Sequence, residues 1–433
     1  MISWIDIALI PFSVFLLLIV LAVTQKAGDI FGLRPELQRK IVHVLTGSYA
    51  LVIPFAFQNR SVFLAFTGLS LIVLLLLRLP VFSKEGVSSA IHSVERKSYG
   101  EVYLTIAVGL IFWFSDGQMV LYVLPLLVLT LSDTAAALAG TRYGSKHFEV
   151  NSGAKSWEGV TVFFLVTWII ALILLLLMTD IAPPNIVTLS FIIAAFSALV
   201  EADSWNGLDN LFVPMCIYLL LSSHMNTPPM QLLLLAAIFI LALRIMVLLG
   251  YRIGMKRYIS RAYVTFILMV CLTTARHNAL LPALMLAAHI IASLCQSDRN
   301  ADQDLSLLAF STGISLFWLF IGDYAGYNAL NSYNLTFAAM AMLFITLATC
   351  HYQLWIRLVV SFLGVGLLGI LVLFTAKQNA FATGDHNYLF VWVFVSLILS
   401  AAAGLVIPQL FRVQKSFRVF LASFPLPLLL YIS

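Results

Sequence analysis

"SDTAAALAGTRYGSKHFEVNSGAKSWEG", Ser132 to Gly159, is a polar, glycine-bearing stretch between two apolar runs at 119–140 and 159–178. Its first residues continue the preceding run, so Asp133 lies inside a membrane-length segment, about two turns or roughly 10 Å from its end. A carboxylate at that depth is costly and marks function by default, a buried polar contact being the alternative. Ala136, Ala137, Gly140 and Gly144 follow it on a face of small side chains. Such a face lets a second backbone or a phosphate come close; for the glycines alone, ordinary helix packing is the simpler reading. Lys155, Ser156, Glu158 and Gly159 then open the next run, where the unpaired N–H groups of a helix start favour anions. A phosphate or metal-phosphate group suits that combination, and a snorkelling lysine with a capping glutamate is its bland counterpart.

The surroundings are apolar nearly throughout. Of 433 residues, 62% are hydrophobic and 10% charged, against roughly 25% charged in soluble domains. Apolar runs long enough to span a bilayer recur along the chain and imply an all-α, polytopic integral membrane protein with about 14–16 transmembrane helices. The net charge of +5 belongs to loop lysines and arginines. No basic segment is interleaved with aromatics, so nucleic acid is not an expected partner. Cys216, Cys271, Cys295 and Cys350 fall in or beside apolar runs without CxxC spacing, which indicates neither a disulfide framework nor a zinc site. The run at 5–23 lacks a basic lead and a small-residue cleavage site, and reads as a retained first span.

The expected spans are 5–23, 41–57, 61–79, 102–115, 119–140, 159–178, 186–201 and 211–222, then 230–249, 262–275, 279–295, 305–322, 335–351, 355–375, 388–410 and 418–432. With the N-terminus outside, all of the 24 lysines and arginines except Arg60, Arg276 and Lys377 fall in or beside cytoplasmic loops, as positive-inside retention requires. Every glutamate maps to that side too, and none follows Glu201. Two halves follow: 1–222 with long polar loops, and 230–433 with short links and no assigned function. "HMNTPPM", His224 to Met230, is the joint.

Further polar groups of the first half lie on the same face. "RKIVH" supplies Arg39, Lys40 and His43, "ERKSYG" supplies Glu95, Arg96 and Ser98, and "EADSWNGLDNLFVP" supplies Glu201, Asp203, Asp209 and Asn210. Each basic pair alone is explained by retention, and a lone His43 by packing. Together they join acids for Mg²⁺ with cations for phosphate oxygens, the needs of phosphoryl transfer. Neither a Walker-type nor a kinase-type glycine loop is present.

In this order, "RKIVH", "ERKSYG", "SDTAAALAGTRYG", "KSWEG" and "E…LDNLFVP" resemble the polyprenol kinase family, which takes in phytol, dolichol and CTP-dependent diacylglycerol kinases. The resemblance covers about residues 30–222. It implies CTP as phosphoryl donor, Mg²⁺ as cofactor and an isoprenoid alcohol such as phytol, farnesol or dolichol as acceptor, its tail in a groove between spans. Asp133, Asp209 and Glu158 are the expected metal ligands. Arg39, Lys40, Arg96, Gly140, Gly144, Lys155 and Ser156 are the expected nucleotide and phosphate contacts. Asp209 or His43 is the expected proton acceptor. "SDTAAALAGTRYG…KSWEG" also resembles the cytidylyltransferases that make CDP-diacylglycerol, but their C-terminal glycine- and aspartate-rich signature is missing. A cytidylyltransferase acting on phosphatidate is therefore one alternative. A transporter is the other, disfavoured because the polar groups crowd one face of one half rather than a midplane site.

In the second half, "YRIGMKRYISR" reads as retention, "TTARHNALLP" as an outer loop, and "DRNADQD" as a solvated link or a second metal site. The topology predicts that cysteines placed at Ser88 and Ser152 react with an impermeant thiol reagent from the cytoplasmic side only; labelling from outside would break it.

Overall fold

The computed structural model describes residues 4–33, 35–57, 59–78, 99–151, 153–274, 276–295, 301–379, 386–411 and 415–432. Lipid offers no hydrogen bonds, so each apolar run closes its backbone on itself as a helix. The first eight helices are α1 (Trp4–Phe31), α2 (Pro35–Ala56), α3 (Arg60–Leu77), α4 (Gly100–Ser115), α5 (Met119–Tyr143), α6 (Trp157–Met178), α7 (Pro183–Asp203) and α8 (Asp209–His224). The rest are α9 (Pro229–Arg252), α10 (Arg257–Thr273), α11 (Leu280–Cys295), α12 (Ala301–Ala325), α13 (Leu330–Ala348), α14 (Leu354–Asn379), α15 (His386–Val406), α16 (Lys415–Ser423) and α17 (Pro425–Ile432). The protein is an all-α polytopic membrane protein.

Three features differ from the sequence expectation. Among the described residues, ten helices are long and apolar enough to cross a membrane. Others, such as α4 and α8 at 16 residues each, are shorter than the roughly 18–20 residues that cross a full hydrocarbon core. The last expected span breaks in two, because Pro425 has no N–H with which to continue α16. Between α5 and α6 the polar stretch is an antiparallel hairpin of β1 (His147–Val150) and β2 (Gly153–Ser156), with Phe148 paired to Lys155.

The chain divides into two compact units, Met1–Ile238 and Phe239–Ser433, the division falling within α9. In the first, α5 is largely buried, and α2, α6, α7 and α8 are among the elements assembled around it or its neighbours. α2 lies close on α5 because Gly47 has no side chain: a Cβ there would stand 2.2 Å from Thr130 Oγ1. One turn on, the buried Tyr122 hydroxyl donates to the Ala50 carbonyl at 2.6 Å. The hydroxyl of Thr130 donates to the Leu126 carbonyl at 2.7 Å and so needs no partner from outside its helix.

In the second unit, α13 is the enclosed element, with α11, α14 and α15 packed on it. Part of its polar surroundings is bonded across the chain. Asn334 Nδ2 donates to Asn278 Oδ1 at 2.7 Å, and Asn379 Nδ2 to the same oxygen at 3.0 Å. Asp304, expected in a solvated link or a second metal site, is buried in the first turn of α12, with His289 Nε2 at 2.8 Å and the Tyr263 hydroxyl at 3.1 Å from Oδ1.

A Gly47→Leu variant will drive its side chain into Thr130, and overpacking of this kind typically costs about 1–3 kcal/mol. The expected outcome is a clear fall in the thermal midpoint of the detergent-solubilised protein, read by fluorescence-detected size exclusion.

Candidate active site

One end of the first unit gathers the polar side chains. Asp133 sits on α5, ten residues before the helix ends at Tyr143, and is 5% exposed. Lys40, one and a half turns into α2, places Nζ 2.7 Å from Asp133 Oδ2. His43, one turn further, holds Nε2 3.4 Å from the same oxygen and 3.1 Å from the Leu129 carbonyl. Both are buried. The i, i+3 spacing of Lys40 and His43 puts them on one helix face, and Gly47 lets that face reach α5. Arg39, half-buried beside them, also acts electrostatically on Asp133.

A second ion pair stands alongside. Lys155 extends from β2 to α7, where Nζ lies 3.0 Å from Glu201 Oε1 and also donates to the Glu201 carbonyl. Burial alone would lower the pKa of the Lys155 ammonium. The carboxylates of Glu201 and Asp209 outweigh that and raise it, so the lysine is charged throughout the neutral range. Asp209 opens α8. The turn that aims it runs through Asn206 (φ +53°) and Gly207 (φ +85°), residue types that tolerate the left-handed region. The Tyr99 N–H, at the start of α4, donates to the Asn206 carbonyl at 3.2 Å and holds that turn.

The two pairs meet at their acids. Oxygens of Asp133, Glu201 and Asp209 all lie within 4.8 Å of one another. Glu201 Oε2 and Asn210 Oδ1 are buried with no hydrogen-bond partner among the described residues. The three converging carboxylates form a hard oxygen donor set, which suits Mg²⁺.

The remaining expected residues are distributed as follows. Glu158 stands apart from this trio; its Oε1 accepts from Ser145 Oγ and from the Lys146 N–H at 3.2 Å, tying α6 to the hairpin. Ser156 caps α6, accepting the Gly159 N–H at 3.1 Å. Gly140 and Gly144 face this cap: a Cβ on Gly140 would lie 2.9 Å from Ser156 Oγ, and one on Gly144 2.3 Å from the Gly140 carbonyl. The small-residue face thus receives the start of α6, and the close approach sets the strand that carries Lys155. Arg96, with Glu95 and Ser98, lies outside the described residues. Glu201 is the residue without an assigned role in the sequence reading; an acid ending the apolar run of α7 was its signal.

No protein-family model matches the chain, and no solved structure does. Its N-terminal part is similar to a phytol kinase from Synechocystis sp., 30% identical over 188 residues, which covers 42% of this chain and 76% of that protein.

Removing Lys40 will strand a buried carboxylate, a loss of about 3–5 kcal/mol for a broken buried pair. Lys40→Met should therefore lower the thermal midpoint markedly, and the double variant Lys40→Met with Asp133→Asn should recover most of it while staying inactive. Equal midpoints for the single variant and the parent would mean that the pair does not hold α2 on α5.

Proposed function

Since its N-terminal half belongs to the polyprenol kinase family, the chain is a lipid-alcohol kinase, and we propose that it transfers the γ-phosphoryl group of CTP to the hydroxyl of an isoprenoid alcohol such as phytol or farnesol. The observation that carries this reading is the convergence of Asp133, Glu201 and Asp209 beside Lys40, Lys155 and His43 at the helix ends of one unit.

Asp133, Glu201 and Asp209 would hold Mg²⁺, which neutralises charge on the transferring group when bound. Lys155, Lys40, Arg39 and Arg96 supply positive charge to the phosphate oxygens. Gly140, Gly144 and Ser156 contribute through position, by fixing β2 and the entry to α6. Glu158 serves the same end from the other side of the hairpin. The alcohol oxygen attacks phosphorus, its proton passes to a base, and CDP leaves. That base is Asp209 or His43; the Leu129 carbonyl and Asp133 orient His43 through Nε2, which leaves Nδ1 as its basic nitrogen. The site faces the cytoplasm, where the nucleotide is, in keeping with the distribution of loop cations.

Purified protein supplied with labelled CTP and a panel of prenyl alcohols should release CDP and a prenyl phosphate. Release of pyrophosphate with phosphatidate as acceptor would establish the cytidylyltransferase instead. Asp133→Asn should lower the initial rate by orders of magnitude, and Lys40→Met with Asp133→Asn, which leaves neither an ammonium nor a carboxylate buried without its partner, should be equally inactive with folding intact. Lys155→Ala should raise the apparent KM for the nucleotide more than that for the alcohol. Near-normal turnover of Asp133→Asn would remove it from the chemistry.

A further inference from the structure

A groove runs between α1, α2, α3 and α4, on the side of α2 next to the face that holds Asp133. It contains about 820 Å³ of space not filled by atoms, its open side included. Leu17, Leu18 and Leu21 of α1 form one wall, Val73 and Leu74 of α3 another, and Leu104 and Val108 of α4 a third. The threonines that line it turn their hydroxyls away from a ligand. Thr46 donates to the Val42 carbonyl, Thr67 to that of Phe63 and Thr105 to that of Glu101, at 2.8, 3.0 and 2.9 Å. Bonded in this way, they offer the groove mainly their methyl groups.

Its two ends differ. At one end stand Val42, next in sequence to His43, and Glu101, two residues beyond Tyr99, whose N–H holds the Asn206 turn that aims Asp209. This end is therefore bounded by α2, one residue from His43, and by the start of α4, where Glu101 is paired with Arg78. The other end is closed by rings. The ring centroids of Phe57, Phe63 and Phe66 lie 5.2–5.8 Å from one another, and that of Phe112 lies 4.1 Å from that of Phe63. Phe57 and Phe63 are fully buried, so this floor is packed and does not lead onward.

The length between the ends is readable. Val42 to Ile53 on α2 is eleven helical steps, as is Phe63 to Leu74 on α3, and at 1.5 Å each either wall spans roughly 16 Å. An extended hydrocarbon with C–C bonds of about 1.5 Å advances roughly 1.3 Å per carbon, so the groove takes about a dozen main-chain carbons.

We propose that this groove is the binding site for the tail of the acceptor alcohol, and that Phe63 and Phe66 set the chain length it accepts, near that of a farnesyl group. The proposal rests on the kinase reading above and deepens it. The hydroxyl sits at the Val42–Glu101 end and the tail runs toward the phenylalanines. Longer polyprenyl chains do not fit within the closed part and must leave through the open side.

The test compares kcat/KM for alcohols of ten, fifteen and twenty carbons in the parent, in Phe63→Ala with Phe66→Ala, and in Val108→Trp. Opening the floor should shift the ratio of twenty- to ten-carbon alcohol several-fold toward the longer one. Filling the groove at Val108 should shift it the other way, with the apparent KM for nucleotide little changed. An unmoved ratio in both overturns the groove assignment. Should the parent phosphorylate no alcohol at all, the kinase reading itself fails, which is a separate result. A second measurement needs no variant. A farnesol analogue with a diazirine at the tail end should label Ile53, Phe57, Phe63 or Phe66 in the parent protein, and plain farnesol should suppress the labelling. Adducts confined to other helices, or suppression by phospholipid as effective as that by farnesol, would show an ordinary lipid site and overturn the proposal.

Discussion

Everything in the first unit is arranged around one costly group, the Asp133 carboxylate buried inside α5. A charge so placed needs a partner within hydrogen-bond reach, because the surroundings screen poorly and unpaired burial costs several kcal/mol. Lys40 meets that need at 2.7 Å, with His43 beside it. Delivering a lysine to that depth requires α2 to lie against α5, which Gly47 allows and the Tyr122–Ala50 hydrogen bond fastens. Once that face of α2 is committed to α5, the adjacent face, carrying Val42, Thr46 and Ile53, is left to line the groove with α1, α3 and α4.

The second pair answers a different problem. Glu201 and Asp209 bring two more carboxylates to the same place, and like charges within a few ångströms oppose one another. Lys155 relieves part of this, and it reaches Glu201 only because the hairpin holds β2 across the end of α7. That hairpin is in turn fixed by Ser156 against Gly140 and Gly144, and by Glu158 against Ser145 and Lys146. The polar stretch from Ser132 to Gly159 is therefore a scaffold and, in the proposed reading, part of the site: it brings Asp133 and Lys155 to Glu201 and Asp209.

Much of this was legible in the sequence, and the reasons are physical. Lipid forces apolar runs into helices, so run lengths and loop cations outlined the helices of both halves. Asp133 stood out because a carboxylate inside a span is expensive. What could not be read was pairing across the chain. Lys40 and Asp133 are 93 residues apart, and nothing local distinguishes a lysine bound to a carboxylate from one waiting for phosphate. Glu158 and Glu201 differ only in which way their helix ends are turned, and that depends on the hairpin, whose four-residue strands are too short to leave a periodic signal. Gly140 and Gly144 fit close approach of either a backbone or a phosphate, and only packing shows that Ser156 and the start of α6 lie against them.

The claim on which the account rests is that the three carboxylates form one site for a divalent cation. Mn²⁺ is a paramagnetic substitute for Mg²⁺ with the same preference for oxygen ligands. Its electron paramagnetic resonance signal, titrated into purified protein without nucleotide, should report one bound ion per chain. That ion should be lost in Glu201→Gln and retained in Glu158→Gln. Unchanged binding in the Glu201 variant, or loss in the Glu158 variant, would contradict the assignment of the metal to Asp133, Glu201 and Asp209.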